Sequence, residues 1–129
     1  MIKNQEDFDY DSLEAGLYDQ ILFQEDGERK PGTRKPGARS FWPFQKFDTV
    51  LRLLTKKKDK KILDIGCSAG SFLGMVSEEN FGEQIGVDIA QNQIDYAKKY
   101  QTPFRQFLKI DDNKSLTQKF SSDYFDAIT

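Results

Sequence analysis

The chain has 129 residues, 37% hydrophobic and 31% charged, with a net charge of −2. That is a length for one domain with a real core, and the composition is of the soluble globular class. It has one cysteine and no histidine, which excludes an intramolecular disulfide and argues against a catalytic triad or a zinc site. No apolar run approaches the roughly 18–20 residues that span a bilayer. Met1 to Asp11 is acidic and lacks the basic-then-apolar pattern of a secretory signal, so a cytoplasmic location is expected, without a membrane partner.

The charge is unevenly placed. Residues 1–26 carry one lysine against eight acids, residues 27–61 twelve bases against three acids, and residues 62–129 six bases against ten acids. A basic middle between acidic flanks speaks of partners or self-docking rather than of fold.

The periodicity predicts an amphipathic helix over 10–23. Leu13, Leu17 and Ile21 recur every four residues, with Tyr10 and Tyr18 nearby. Residues 24–40 read as a loop holding a near-repeat, Arg29-Lys30-Pro31-Gly32-Thr33 then Arg34-Lys35-Pro36-Gly37-Ala38, with two Pro-Gly turn signals. A second helix is expected over 44–55, with Phe44, Phe47, Val50, Leu51 and Leu54 on one face. The lysine run 56–61 reads as a solvated connection before a buried strand.

From Lys61 the pattern alternates. Strands are expected at 61–65, 84–87 and 104–110, with a fourth beginning at Phe125. Helices are expected at 71–81, with Phe72, Leu73, Met75 and Val76 inward, and at 90–100, ended by Pro103. This alternation implies an α/β fold with a parallel sheet and right-handed crossovers. Residues 1–60 then form an N-terminal helical and loop extension with a basic linker, and residues 61–129 the sheet-bearing domain.

In a doubly wound sheet a ligand lies beyond the carboxyl ends of the strands. The first strand ends in Asp64-Ile65-Gly66-Cys67-Ser68-Ala69-Gly70-Ser71, whose small residues let backbone approach a ligand closely. An anionic group is favoured where a helix then starts. Asp88 follows the second strand, about twenty residues on, where an acid can accept from a ribose diol. Asp111 and Asp112 follow the third. Simpler roles compete: strand–helix packing for Gly66 and Gly70, a helix N-cap for Asp88, plain loop acids for Asp111 and Asp112. Cys67 reads as a small packing residue, since no histidine exists to activate it. A dinucleotide site is disfavoured, because Gly66-x-Ser68-x-x-Ser71 departs from G-x-G-x-x-G at two of three positions.

Ile62 to Phe72 resembles the first motif of class I S-adenosylmethionine-dependent methyltransferases. Gly86-Val87-Asp88-Ile89 resembles their acidic ribose-binding motif, Phe107 to Asp112 their third-strand segment, and Asp123 to Ile128 the opening of their fourth strand. The resemblance implies a Rossmann-like doubly wound sheet, truncated after about four strands, with N-terminal helices and S-adenosyl-L-methionine as cofactor. It implies that Asp64 positions the methionine amino group, and that Gly66, Cys67, Ser68 and Gly70 line the cofactor. Asp88 would hold the ribose and Ile89 flank the adenine. Asp111 or Asp112 would reach the adenine amine. Ser68 departs from the family's usual middle glycine.

The family's usual seven strands make this resemblance one to the first half only. The expected open sheet edge invites a second copy or another partner. Two origins stay open: the front part of a methyltransferase, or a non-catalytic module that binds the cofactor or a protein. Catalytic residues and enzyme status are left unassigned. A small-molecule or glycan-type acceptor is favoured, because no nucleic-acid motif appears. Arg29, Lys30, Arg34, Lys35 and Arg39 before Phe41-Trp42-Pro43-Phe44 could serve nucleic acid or an acidic acceptor, but the aromatics fit core packing better. Tyr10, Tyr18 and Trp42 are candidates to close over the cofactor.

Overall fold

A computed structural model describes residues 14–17, 19–20, 41–54 and 57–129. Four strands, β1 (Lys57–Ile65), β2 (Phe81–Asp88), β3 (Arg105–Lys109) and β4 (Ala127–Ile128), form one sheet in the order β3-β2-β1-β4. Every pairing is parallel. Among the described residues, helices α1 (Phe41–Leu53), α2 (Gln91–Ala97) and α3 (Asn113–Lys119) accompany them. This is the parallel α/β sheet read from the alternation of elements, and the Rossmann-like class that the resemblance implies.

Side chains alternate across a strand, and the sheet sorts its apolar residues accordingly. Ile62 and Phe107 face one core with Phe72, Leu73, Val76, Ile94 and Ala97. Leu63, Ile85 and Val87 face the other, with Ile110 and the partly buried Leu108, Leu116, Phe120 and Phe125. Helix α1 packs Phe47, Val50 and Leu51 on the first core, as its spacing predicts, and Leu54 just beyond it joins them. The rings of Phe47 and Phe72 lie 5.3 Å apart.

Three expectations change. The lysine run is not all connection, because β1 begins at Lys57. Asp126 makes this tolerable: it accepts from the Lys61 amide at 2.9 Å and pairs with Lys60 Nζ at 3.3 Å. The Lys61 ammonium also lies 4.4 Å from the Tyr124 ring centre. Second, the helix expected over 71–81 is reduced to one 3-10 turn, Leu73–Met75, and Phe81 already opens β2. Buried side chains take the Val76 carbonyl that such a helix would use, while Ser77 O still accepts from Phe81 N at 3.3 Å. Arg105 Nη2 donates to Val76 O, and Gln84 Nε2 donates to Val76 O and Ser77 O. Third, α3 was not anticipated. Its N-cap is Asp112, which accepts from Ser115 N at 3.0 Å.

The expected helix over 10–23 falls largely outside the described residues, including Tyr10, Leu13, Tyr18 and Ile21. Of its described part, Leu17 is half exposed, whereas Gly16 and Asp19 are buried. The loop at 24–40 and the Trp42 side chain also lie outside the described residues.

Among the described residues Arg105 is the largest fully buried side chain, and its guanidinium donates to three groups. Nε donates to Gln84 Oε1 at 2.8 Å, Nη1 to Tyr100 O at 3.0 Å, and Nη2 to Val76 O. Burial lowers its pKa to about 10, against a raising influence of Tyr100, so it stays cationic at neutral pH. Arg105→Met keeps the bulk but leaves three buried acceptors without this donor. Each such loss costs about 1–3 kcal/mol before relaxation. We expect a loss of about 2–4 kcal/mol in urea unfolding. An unchanged midpoint would show that the network does not hold the crossover.

Candidate functional site

The turn after β1 reverses the chain through three left-handed residues: Gly66 (φ 71°), Ser68 (φ 50°) and Gly70 (φ 78°). Glycine takes this conformation freely, and Ser68 takes it at a cost of about 1 kcal/mol. Gly70 is constrained twice. A Cβ there would lie 2.8 Å from the Phe107 ring and 3.0 Å from Ala97 Cβ. The turn is tied to the end of β2, because Gly66 N and Cys67 N both donate to Val87 O, at 2.9 and 3.0 Å.

Asp88 completes that tie. Its Oδ2 accepts from Ser68 N at 2.8 Å and its Oδ1 from Ala90 N at 2.9 Å. The N-cap of α2 is Ala90, so Asp88 acts just before the helix and not as its cap. These two bonds offset the strain at Ser68. A carboxylate has about four acceptor positions, so two remain for a ligand hydroxyl pair.

Beside the turn lies a cavity of about 250 Å³, walled by Phe47 and Val50 of α1, by Asp64, Gly66, Cys67, Ser68, Ser71 and Phe72, and by Thr129. Asp64 is 8% exposed and accepts from Thr129 Oγ1 at 3.1 Å. Burial raises its pKa from 3.8 to about 6. The Thr129 hydroxyl opposes that rise and the charge of Asp88 adds to it. Burial, with Asp64 and Asp88 nearby, also pushes the Cys67 thiol far up. Cys67 is therefore a protonated packing group at neutral pH. It lies so close to β2 that a Cβ at Gly86 would be 3.0 Å from its Sγ.

The other sequence-chosen residues lie outside this cavity. Ile89 is 38% exposed beyond Asp88. Asp111 is exposed and bonded to Lys109 Nζ at 2.8 Å, which holds its carboxyl below the usual range. Asp112 Oδ1 is engaged in capping α3. Thus Asp64, Gly66, Cys67 and Ser68 share one cavity, Gly70 and Asp88 brace the turn, and Ile89, Asp111 and Asp112 do not line the cavity. Of the cavity lining, sequence reasoning does not single out Phe47, Val50, Ser71, Phe72 and Thr129 as site residues. Ser71 and Phe72 lie within the first motif and Thr129 beside the last, so these could have been found. Gln93 and Asp19, which bond to the two serines of the turn, carry no local signal.

Among the described residues no cluster of histidine, cysteine or acids is arranged to hold a metal ion. Among them, too, no helix is long and apolar enough to cross a membrane.

Residues 39–129, well over half of the chain, match the family model described as a methyltransferase domain. An uncharacterized protein of Haemophilus influenzae is 37% identical over 51 residues, 40% of this chain and 20% of that protein. Solved structures that resemble the chain include the YcgJ protein from Bacillus subtilis. It has a TM-score of 0.48 and 20% identity, over 52% of this chain and 30% of that one. YjhP from E. coli gives 0.45 and 21%, over 73% and 36%. A TehB-like SAM-dependent methyltransferase from Corynebacterium glutamicum gives 0.41 and 29%, over 50% and 34%. The chain spans a fifth of the curated relative's length and about a third of each of these solved chains. On the match across residues 39–129, the chain belongs to the methyltransferase domain family.

Proposed function

We propose that residues 61–129 bind S-adenosylmethionine, as the cofactor-binding portion of a methyltransferase. The observation that carries this reading is Asp64. It is a buried carboxylate at a cavity wall, and among the described residues its partner is the Thr129 hydroxyl, with no cationic side chain against it. Such a group is costly to ionise unless a cation comes to it. S-adenosylmethionine brings an ammonium and a sulfonium. In this reading the ammonium meets Asp64, and the backbone of Gly66, Cys67, Ser68 and Gly70 lies along the amino-acid portion. Asp88 takes the ribose hydroxyls on its two remaining acceptor positions. Ile89 flanks the adenine, and the Oδ2 of Asp111 or Asp112 receives its amine.

The sulfonium supplies the methyl group and a neutral thioether as leaving group. The protein's task is then mainly to hold an acceptor in line with it. The reading needs no nucleophile from the chain, and the protonated Cys67 thiol offers none. We favour a small-molecule or glycan-type acceptor, reached past the apolar wall of Phe47 and Val50.

Calorimetric titration with S-adenosylmethionine tests the core of this proposal. The wild-type chain is expected to bind, and Asp88→Ala to bind at least tenfold more weakly, about 1.4 kcal/mol. No heat with the wild-type chain would refute it.

A second test uses pH. The pKa of Asp64 in the fold, about 6, exceeds its unfolded value of 3.8. Its contribution to stability is therefore fully present below pH 3.8 and is lost as pH rises through 6. Asp64→Asn keeps the neutral form at every pH. It is expected to raise unfolding stability at pH 8 by about 2–3 kcal/mol, to change little at pH 4, and to lose cofactor affinity. Cofactor affinity of the wild-type chain should fall as pH drops below 6. A variant that gains no stability at pH 8, or that still binds as wild type, contradicts the assignment of Asp64.

A further inference from the structure

Two serines line the cavity, Ser68 and Ser71. Both hydroxyls are held from outside the turn, and both lead to the same short stretch of chain. Ser71 Oγ donates to Asp19 Oδ1 at 2.9 Å. Ser68 Oγ donates to Gln93 Oε1 at 3.5 Å, and that same oxygen accepts from Gly16 N at 3.1 Å. The amide nitrogen of Gln93 donates to Glu14 O at 3.2 Å. So Gln93 grips the backbone at 14 and 16 with one side chain and reaches Ser68 with the same group.

The docking of this stretch is specific in shape as well as in hydrogen bonding. Asp19 is wholly buried and also accepts from Tyr100 OH at 2.7 Å and Tyr96 OH at 3.2 Å. Gly16 has φ 74°, and a Cβ there would lie 2.2 Å from the Tyr96 ring. Only glycine lets the backbone meet that ring.

We propose that Glu14, Gly16 and Asp19 form a positioning element of the cofactor site. They fix the Ser71 hydroxyl directly through Asp19, and the Ser68 hydroxyl through Gln93. The inference rests on the cofactor reading above and goes beyond it, since it makes a distant N-terminal stretch part of the binding energy. None of these residues except the two serines lines the cavity, so Asp19 and Gln93 act through other groups. Coupling of this kind is reciprocal: whatever docking adds to cofactor affinity, the cofactor adds to docking.

The experiment uses the full chain and three readouts: calorimetric affinity for S-adenosylmethionine, hydrogen exchange over residues 14–20, and thermal stability. In wild type, the cofactor should slow exchange over 14–20. Gly16→Ala should speed exchange there, weaken cofactor binding about tenfold, and remove the cofactor's effect on that exchange. Gln93→Leu should act in the same direction, and combining it with Gly16→Ala should add little. A Gly16→Ala chain whose segment exchanges freely while affinity is unchanged would overturn the proposal. So would a loss of thermal stability alone, which is what mere packing predicts. The wild-type exchange comparison needs no variant, so a variant that fails to fold does not shelter the idea: cofactor-bound wild type with unaltered exchange at 14–20 also overturns it. Absence of any heat with wild type would remove the cofactor reading itself, and this proposal with it.

Discussion

The carboxylate of Asp88 stands where two chain reversals meet. One reversal leaves β1 through Gly66 to Gly70, and the other leaves β2 toward α2. Parallel pairing of β1 with β2 places Ile65 opposite Val87, so both strands end at the same level. Val87 O then takes two amides of the first turn, and Asp88 takes the third while its other oxygen takes Ala90 N. A single carboxylate thereby fixes the strained Ser68 and the start of α2 in one frame. Glutamate would place its carboxylate one methylene too far for both bonds. Asparagine would present a donor to one of two donors. The residue type follows from backbone geometry before any ligand is considered, and so the structural role of Asp88 does not compete with the binding role proposed for it.

Two buried side chains, Arg105 and Asp19, extend that frame away from the sheet ends. Arg105 donates to the carbonyl of Tyr100, and the hydroxyl of Tyr100 donates to Asp19. The guanidinium and the carboxyl group thus lie on the two ends of one tyrosine rather than against each other. A direct ion pair would gain more Coulomb energy, but it would order only two groups. This arrangement orders the crossover at Val76, the 3-10 turn ending α2, and the stretch around Asp19 at once. Buried polar groups of this sort add little net stability, since desolvation opposes them. Their effect is on which packing is adopted, because a shifted register would strand several donors and acceptors together.

The sheet was legible in the sequence because its signals are local. Strand alternation, the glycine turn and the acid after β2 each need only neighbouring residues to be recognised. What escaped reading depends on distant partners. The 71–81 stretch has apolar residues at helical spacing, yet Arg105, twenty-nine residues from Val76, takes the Val76 carbonyl together with the nearer Gln84. Lys60 and Lys61 look solvated until Asp126 and Tyr124 arrive beside them. Leu17 belongs to an apolar stripe and is still half exposed, because Gly16 and Asp19 dock instead. A stripe argument cannot foresee that a buried carboxylate has three hydroxyls waiting for it. The candidate site divides the same way. Its turn was readable residue by residue, whereas Gln93 and Asp19 acquire meaning only through groups on other elements.

The turn also explains why a serine stands where the resemblance expects glycine. Left-handed backbone favours glycine at position 68, so serine must bring something glycine lacks. Its amide bond to Asp88 is a backbone contact that glycine would keep. The hydroxyl is what remains, and its partner is the Gln93 oxygen shared with Gly16 N. Replacement by glycine would relieve about 1 kcal/mol of strain while cutting the link between turn and N-terminal stretch. A chain optimised for local stability alone would not keep this serine. Its presence is better understood as the junction between the strand-end turn and the segment that docks beside it.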